Sequence, residues 1–177
     1  MAKLPRLETE RLTLRAFSLD DAPCVQKLAG AKEVAATTAR VPHPYEDGMA
    51  ESWIATHADN FSKGKGVELA IVQKCDGAVV GCIALMARNC GDDDEKTAEI
   101  GYWIGTPYWG KGYCTEAARR VLKWVLVEER WCRKVTGRAM GDNAGSNKVM
   151  QKLGMQYVNT NPGKMIKWGE KHDEVNS

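Results

Sequence analysis

Two glycines flank a lysine at Gly110-Lys111-Gly112, between a predicted strand that ends at Ile104 and a predicted helix that begins near Gly112. Glycine adopts the positive φ angles of a tight turn and lets a ligand approach the main chain closely. The backbone N–H groups of residues 110–115 then point outward without partners, at the positive end of the helix dipole. This arrangement predicts an anion site, and phosphate is its usual occupant.

Two other interpretations of this turn remain open from its residues alone. Counted from Gly105, the residues match the nucleotide-binding P-loop pattern G-x-x-x-x-G-K-[ST] except at its last position. In a P-loop that position is Ser or Thr, which holds Mg²⁺. Gly112 stands at that position and cannot hold magnesium, and the chain lacks the repeated strand–helix units of such nucleotidases. The second alternative is that the glycines only end a strand and cap a helix.

The strands that must position the turn are indicated by alternation with a period of two. Leu12, Leu14 and Ala16 alternate with polar residues in a half-buried first strand. Asp76-Gly77 predicts a two-residue hairpin turn between the next two strands. The remaining strands are predicted at 67–73, 78–85, 98–104, 135–139 and 165–168.

Four helices are predicted from caps and 3.6-residue spacing. The first follows a cap at Ser18, and the second runs from Met49 through Trp53, His57 and Phe61 to the glycines at 64 and 66. The third begins near Gly112, and the fourth runs from Asp142 or Asn143 to Gly154. The order β-α-α-β-β-β-α-β-α-β predicts the α+β class, a mixed, mostly antiparallel sheet with helices on both faces.

The composition is that of one soluble domain of 177 residues, 44% of them hydrophobic. We expect the domain to span residues 7–170, with frayed polar termini at 1–6 and 171–177. A formal charge of +2 with interspersed signs argues against a nucleic-acid partner. The sequence contains no leader-like segment and no run long enough to cross a membrane, which predicts a cytoplasmic protein without a membrane partner.

Cysteine and histidine spacing excludes the common metal motifs. The six cysteines form no C-x-x-C pair, and the three histidines lie far apart in the sequence. We therefore expect no metal and reduced thiols. The sequence leaves open whether the protein is a monomer or a homodimer.

Three sequence blocks resemble the GNAT superfamily of acyl-CoA N-acyltransferases, and within it the RimJ/RimL-like branch that includes ribosomal-protein N-terminal acetyltransferases. The blocks are LETERLTLR at 7–15, AEIGYWI at 98–104 with WGKGYCTEA at 109–117, and NAGSNKVMQKLG at 143–154. Their order and spacing match as well, so the similarity spans roughly residues 7–158.

The resemblance implies a twisted sheet splayed open between the strand at 98–104 and the strand near 133–140, with acetyl-CoA in the cleft as acetyl donor and no metal. The pantetheine arm would pair with the main chain near Trp103 and Ile104, and the pyrophosphate would lie on the amides of 110–115. The implied cofactor-binding residues are Trp103, Ile104, Gly110, Lys111, Gly112, Tyr113, Cys114, Thr115 and Asn143. Pro107 stands where the family usually has Gln or Arg, and the C-terminal strand lacks the tyrosine that many relatives use as acid.

Transfer to an amine requires a neutral nitrogen, a proton acceptor, an oxyanion donor and a donor for the thiolate. By resemblance, Glu99 is the candidate base and Ser146 the candidate thiolate donor. A strand N–H near Trp103 or Ile104 is the candidate oxyanion donor. The expected reaction is direct attack of a primary amine, either a protein N-terminus or a small molecule, through a tetrahedral intermediate.

Plainer roles remain open for several of these side chains. Glu99 could pair with a neighbouring strand, and Ser146 or Asn143 could only cap a helix. A covalent relay through Cys114 is not needed, because the thioester is already activated. Trp53 and His57 are expected in the core, and the acidic run at 92–95 in a solvated loop that could attract a cationic substrate. The alternative function is an acyl-CoA-binding regulatory module with little or no turnover.

Overall fold

A computed structural model describes residues 4–88 and 96–177; the acidic run at 92–95 lies outside the described residues. The chain forms an eight-stranded sheet in the order β1-β2-β3-β4-β5-β6-β8-β7. Its strands are β1 Leu7–Glu8, β2 Leu12–Arg15, β3 Gly66–Gln73, β4 Val79–Arg88, β5 Thr97–Ile104, β6 Lys134–Met140, β7 Asn159–Lys167 and β8 Glu170–Asn176. Its helices are α1 Ala22–Ala29, α2 Lys32–Ala36, α3 Met49–Ala55, α4 His57–Ser62, α5 Tyr113–Lys123 and α6 Ala144–Lys152. The predicted α+β class with a mixed sheet is confirmed.

All neighbouring strands are antiparallel except β5 and β6, which are parallel. Only Thr97–Ile100 of β5 pairs with β6, opposite Lys134–Gly137. Beyond this point β6 pairs with β8, so residues 101–104 of β5 face an opening in the sheet. This is the splay that the resemblance implied.

Helices cover both faces of the sheet, and each face has its own core. Leu69, Ile83 and Ile100 pack with Val121 of α5 on one face. Cys82 and Trp103 pack with α1, α2 and α3 on the other face. This division matters because the opening between β5 and β6 connects the two faces.

Local details differ from the sequence prediction at two connections. Gln73 N–H donates to Ala78 C=O at 2.9 Å, so the β3–β4 connection spans four residues rather than two, and only its glycine, Gly77, has a positive φ, +73°. The second predicted helix is two helices, α3 and α4, which meet at Thr56. Trp168 lies in the turn after β7 rather than within a strand.

The C-terminal residues 171–177, expected to be frayed, form most of β8. Arg138, Ala139 and Met140 of β6 pair with Asn176, Val175 and Glu174 of this strand. Strand β8 was not predicted, because its residues are mostly polar and its buried position is occupied by a carboxylate. Glu174 is only 3% exposed and forms an ion pair with Arg138 at 3.2 Å.

No helix among the described residues is long and apolar enough to cross a membrane. The same residues contain no cluster of three or more side chains suited to hold a metal ion. The five described cysteines are free thiols.

His57 lies in an aromatic cluster with Phe17 and Trp53, and the expectation that it is a core residue is confirmed. It is 3% exposed, and neither ring nitrogen has a hydrogen-bond partner among the described residues. Burial lowers the pKa of His57 from 6.5 to about 4. The neutral ring is therefore the form that the fold accommodates.

This burial predicts a specific loss of stability in acid. The unfolded chain protonates His57 first, so its contribution is complete above about pH 6.5 and falls as the pH drops toward 4. We expect the free energy of unfolding to fall by about 3 kcal/mol over this range. His57→Phe should lack this pH dependence. Urea unfolding at a series of pH values measures it, with exposed His43→Gln as the control. Parallel pH curves for wild type and His57→Phe would contradict the assignment.

Candidate active site

A continuous cavity of about 1070 Å³ occupies the opening between β5 and β6. On the α5 face it is lined by Tyr102, Cys114 and Ser146. On the α1–α3 face it is lined by Glu68 and Trp53. The cavity therefore passes through the sheet, and two molecules entering from opposite faces can meet at the β5 edge.

By alternation along the strand, the main chain of β5 presents the polar groups of Tyr102 and Ile104 to this opening. Gly105 N–H donates to Val80 C=O of β4 at 2.9 Å. Because successive residues of a strand direct their backbone polar groups to opposite sides, Trp103 points toward β4 as well, and Ile104 points into the opening. The Ile104 carbonyl accepts a hydrogen bond from Trp109 Nε1 at 2.6 Å, which leaves the Ile104 N–H directed at the cleft. Of the two predicted oxyanion donors, the geometry favours Ile104.

The predicted anion turn has the expected geometry. Gly110 and Gly112 adopt φ angles of +75° and +78°, and Gly112 is the residue before α5. The first helical bond runs from Glu116 N–H to Gly112 C=O, and no side chain caps the helix. The amides of residues 113–115 therefore have no partner within the helix and are available to an anion. Lys111 Nζ lies over the Tyr108 ring, 5.3 Å from its centroid.

Arg11 fixes this turn to the N-terminal strands, a role that the sequence did not indicate. Its Nε donates to Glu116 Oε2 at 2.7 Å, its Nη1 to Lys111 C=O at 3.1 Å, and its guanidinium lies over the Tyr113 ring. Thr9 Oγ1 also donates to Glu116 Oε1 at 2.6 Å. Arg11 thus brings a positive charge close to a turn in which Pro107 supplies none. Alternation placed Arg11 on a polar strand face but could not identify partners a hundred residues away.

Ser146 faces Tyr102 across the cleft. The two hydroxyl oxygens are 2.8 Å apart, and burial raises the pKa of Tyr102, which keeps the phenol protonated. Asn143 caps α6, since its Oδ1 accepts from Ser146 N–H at 3.0 Å and its Nδ2 donates to Thr37 C=O. The capping interpretation of Asn143 is the one that its contacts support. Tyr102 was missed as a site residue because its alternation pattern is that of a core strand.

Glu99 lies between two arginines. Arg88 donates two hydrogen bonds to its Oε2, at 3.0 and 2.6 Å. Arg138 donates one to each oxygen, at 2.9 and 3.0 Å. Three of these bonds fall on Oε2 and one on Oε1, so two guanidinium groups flank the carboxylate. The geometry therefore favours the strand-pairing role of Glu99 over that of a base.

Cys114 lines the cavity beside the turn, but its thiol is not a ready nucleophile. Burial raises the pKa of Cys114 to about 12, so the thiolate is scarcely populated at neutral pH. Trp53 lines the opposite part of the cavity and also packs on Phe17 with ring centroids 5.2 Å apart. The aromatic residue expected in the core is thus a wall of the pocket as well.

A mixed sheet that opens beside a helix N-terminus is the arrangement that the resemblance implied. The model of the acetyltransferase (GNAT) domain matches residues 11–156. The chain therefore belongs to the GNAT acetyltransferase family, as the resemblance of its three blocks predicted.

Individual relatives agree with this family. The uncharacterized N-acetyltransferase YjdG of Bacillus subtilis is 39% identical over 85 residues, which are 48% of each chain. The uncharacterized N-acetyltransferase p20 of Bacillus licheniformis is 28% identical over 85% of this chain and 82% of its own. RimL, the ribosomal L7/L12 alpha-N-protein acetyltransferase solved with coenzyme A, has a TM-score of 0.85 at 15% identity, covering 97% of this chain and 96% of its own. At that identity, the last comparison shows a shared fold.

Proposed function

We propose that this protein transfers the acetyl group of acetyl-CoA to a primary amine by direct attack. The observation that supports this most is the single cavity that joins the amide-lined turn on one face of the sheet to an open pocket on the other. A donor held on the α5 side and an amine entering from the α3 side would meet at Ile104. Direct transfer needs no residue that carries the acetyl group, in keeping with the buried Cys114 thiol.

Acetyl-CoA would supply an activated acetyl group, and the residues present fit it. The three free amides of the α5 N-terminus, with Lys111 and Arg11 nearby, suit a pyrophosphate. The Ile104 N–H would hold the oxyanion that develops during attack. Glu99 would position Arg88 and Arg138 along the cleft rather than accept a proton.

The Tyr102–Ser146 pair is our candidate for the thiolate proton donor. Tyr102→Phe should lower kcat by about 100-fold, because it removes a protonated hydroxyl from the cleft and leaves the ring in place. Ser146→Ala should have a smaller effect, because Tyr102 keeps its hydroxyl in this variant. The main-chain N–H of residue 146 also still donates to Asn143 Oδ1, so the N-terminus of α6 stays capped. Steady-state kinetics at saturating acetyl-CoA measure both. Full activity of Tyr102→Phe would exclude the phenol as donor.

The acceptor is proposed to be either a protein N-terminus or a small primary amine. An α-amino group with a pKa near 8 is far more often neutral at pH 7 than a lysine side chain with a pKa near 10.4. RimL acts on a protein N-terminus, and it shares this fold. The pairing of Glu99 with two arginines is the observation that favours the alternative, an acyl-CoA-binding module without turnover.

One assay separates the two functions. Purified protein is mixed with acetyl-CoA and a panel of amines and N-terminal peptides, and free thiol is measured together with the mass of each acceptor. Acceptor-dependent thiol release with acetylated product is the expected result. Tight acetyl-CoA binding without turnover on any acceptor would instead favour the binding module.

A further inference from the structure

A half-buried glutamate, Glu68 of β3, lines the cavity on the α1–α3 face. Its Oε2 is inaccessible to solvent and has no hydrogen-bond partner among residues 4–88 and 96–177. A buried polar atom without a partner costs free energy, so a native structure that retains one calls for an explanation. Glu99 differs, because arginines occupy both of its oxygens.

The sheet surface between Glu68 and the β5 edge carries small residues, and the Met86 side chain borders it, with Cε 3.3 Å from where a Cβ of Gly101 would stand. Glu68 pairs with Ala84 of β4, and Ala84 pairs with Gly101 of β5, so the three residues form one row on the same face. The side chains of Ala84 and Gly101 are the smallest available, and both residues line the cavity. Larger pairs flank this row, Met86–Glu99 on one side and Cys82–Trp103 on the other. The row forms the floor of a corridor from the Glu68 carboxylate to the cleft.

We infer that Glu68 is a specificity-determining residue that binds a second positive group of the acceptor, while the reacting amine lies at the β5 edge. The inference rests on the proposed acetyl transfer. Two strand spacings separate the backbones of Glu68 and Gly101, and Ile104, where acetyl transfer is proposed, lies three residues further along β5. The two nitrogens of the acceptor would therefore lie roughly 10–14 Å apart. The acceptor class is therefore an amine that carries a second cationic group at that distance.

The charges around Glu68 are consistent with this role. Burial raises the pKa of Glu68 and Arg40 lowers it, but Arg40 forms no ion pair with it among the described residues. The Arg40 guanidinium instead contacts Met86 Sδ at 2.6 Å. The walls above the row come from Tyr45, Trp53 and Asn60. A cation of the acceptor would supply the partner that the carboxylate lacks.

Two probe amines of matched length test the inference. 1,8-Diaminooctane carries the second charge, and nonylamine replaces the second amino group with a methyl group. Wild-type protein should show a kcat/KM at least about tenfold higher for the diamine, as expected for a charge-assisted hydrogen bond in a buried site. Glu68→Gln should abolish this preference mainly through KM. Glu68→Asp, which keeps the charge on a shorter side chain, should retain part of it.

Controls keep this result separate from the proposed function. Glu51→Gln removes an exposed acid of α3 outside the cavity lining and should keep the wild-type preference. Glu68→Gln should also unfold at the same or higher urea concentration than wild type, because it removes an unpaired buried charge. Equal kcat/KM for both probes in wild type and Glu68→Gln, or an equal fall in kcat for both, would overturn the inference and leave acetyl transfer intact. Absence of turnover by the wild type on every amine would instead count against the proposed function.

Discussion

Gly112→Val should weaken acetyl-CoA binding by about 100-fold, equivalent to about 2.8 kcal/mol. Gly112 has a φ of +78°, and a non-glycine residue in this conformation costs roughly 1–2 kcal/mol, more when it is β-branched. The turn would relax toward negative φ and redirect the amides at the start of α5. Its new side chain would also stand where a phosphate must approach the main chain. Calorimetric titration of the variant with acetyl-CoA measures the loss.

Gly77→Val provides the matched control for backbone strain. Gly77 has a φ of +73° and open space around the position of a Cβ, and at Gly112 a Cβ would meet Arg11 Nη2 at 3.6 Å, an ordinary van der Waals contact. Gly77 lies in the β3–β4 turn outside the cavity lining. Both valine variants should lose similar stability, whereas only Gly112→Val should lose affinity. Unchanged acetyl-CoA affinity in folded Gly112→Val would contradict the placement of the pyrophosphate.

Ile104→Pro should lower kcat by about 10²–10³-fold, the range seen when one oxyanion donor is removed. Proline lacks the N–H that we assign to the oxyanion. This N–H points into the opening and not toward β4, so no ladder bond of the sheet is lost. Trp103, which would precede the proline, is already extended. Single-turnover rates measure the effect on the chemical step.

Ile104→Ala separates the loss of the N–H from the loss of packing. Ile104 is 8% exposed, so both variants lose apolar burial and some stability. The alanine variant keeps the N–H and should remain close to the wild-type rate. Equal rates for the proline and alanine variants, with both proteins folded, would mean that the Ile104 N–H does not stabilise the transition state.

The parts of the fold that were predictable from the sequence are those set by local chemistry. The positive φ of Gly112 and the N-cap of Asn143 follow from residue type and nearest neighbours. β8 was missed because Glu174 occupies its buried position, and the hydrophobic pattern that signals a strand is absent. A charge is tolerated there because Arg138 and Asn161, from two other strands, bind it.

The candidate site was predictable where it is made of backbone and less so where it is made of side chains. Gly110 and Gly112 predicted the positive-φ turn before α5, because a turn is defined within a few residues. The environment of Glu99 depends on Arg88 and Arg138, on the two strands that flank it, and no local pattern reveals such contacts. Glu68 was overlooked for the same reason. A single acid in an apolar strand becomes a candidate site residue only once the structure shows that it lines a cavity.

Isothermal titration of the wild-type protein with acetyl-CoA tests the central claim most directly. We propose that the amides after the turn at 110–112 bind the pyrophosphate and that the cavity continuing from this turn holds the rest of the acyl-CoA. We predict saturable one-to-one binding with a dissociation constant below the millimolar range, weakened in Gly112→Val and unchanged in Gly77→Val. No binding of acetyl-CoA at millimolar concentration by the folded wild-type protein would contradict the account.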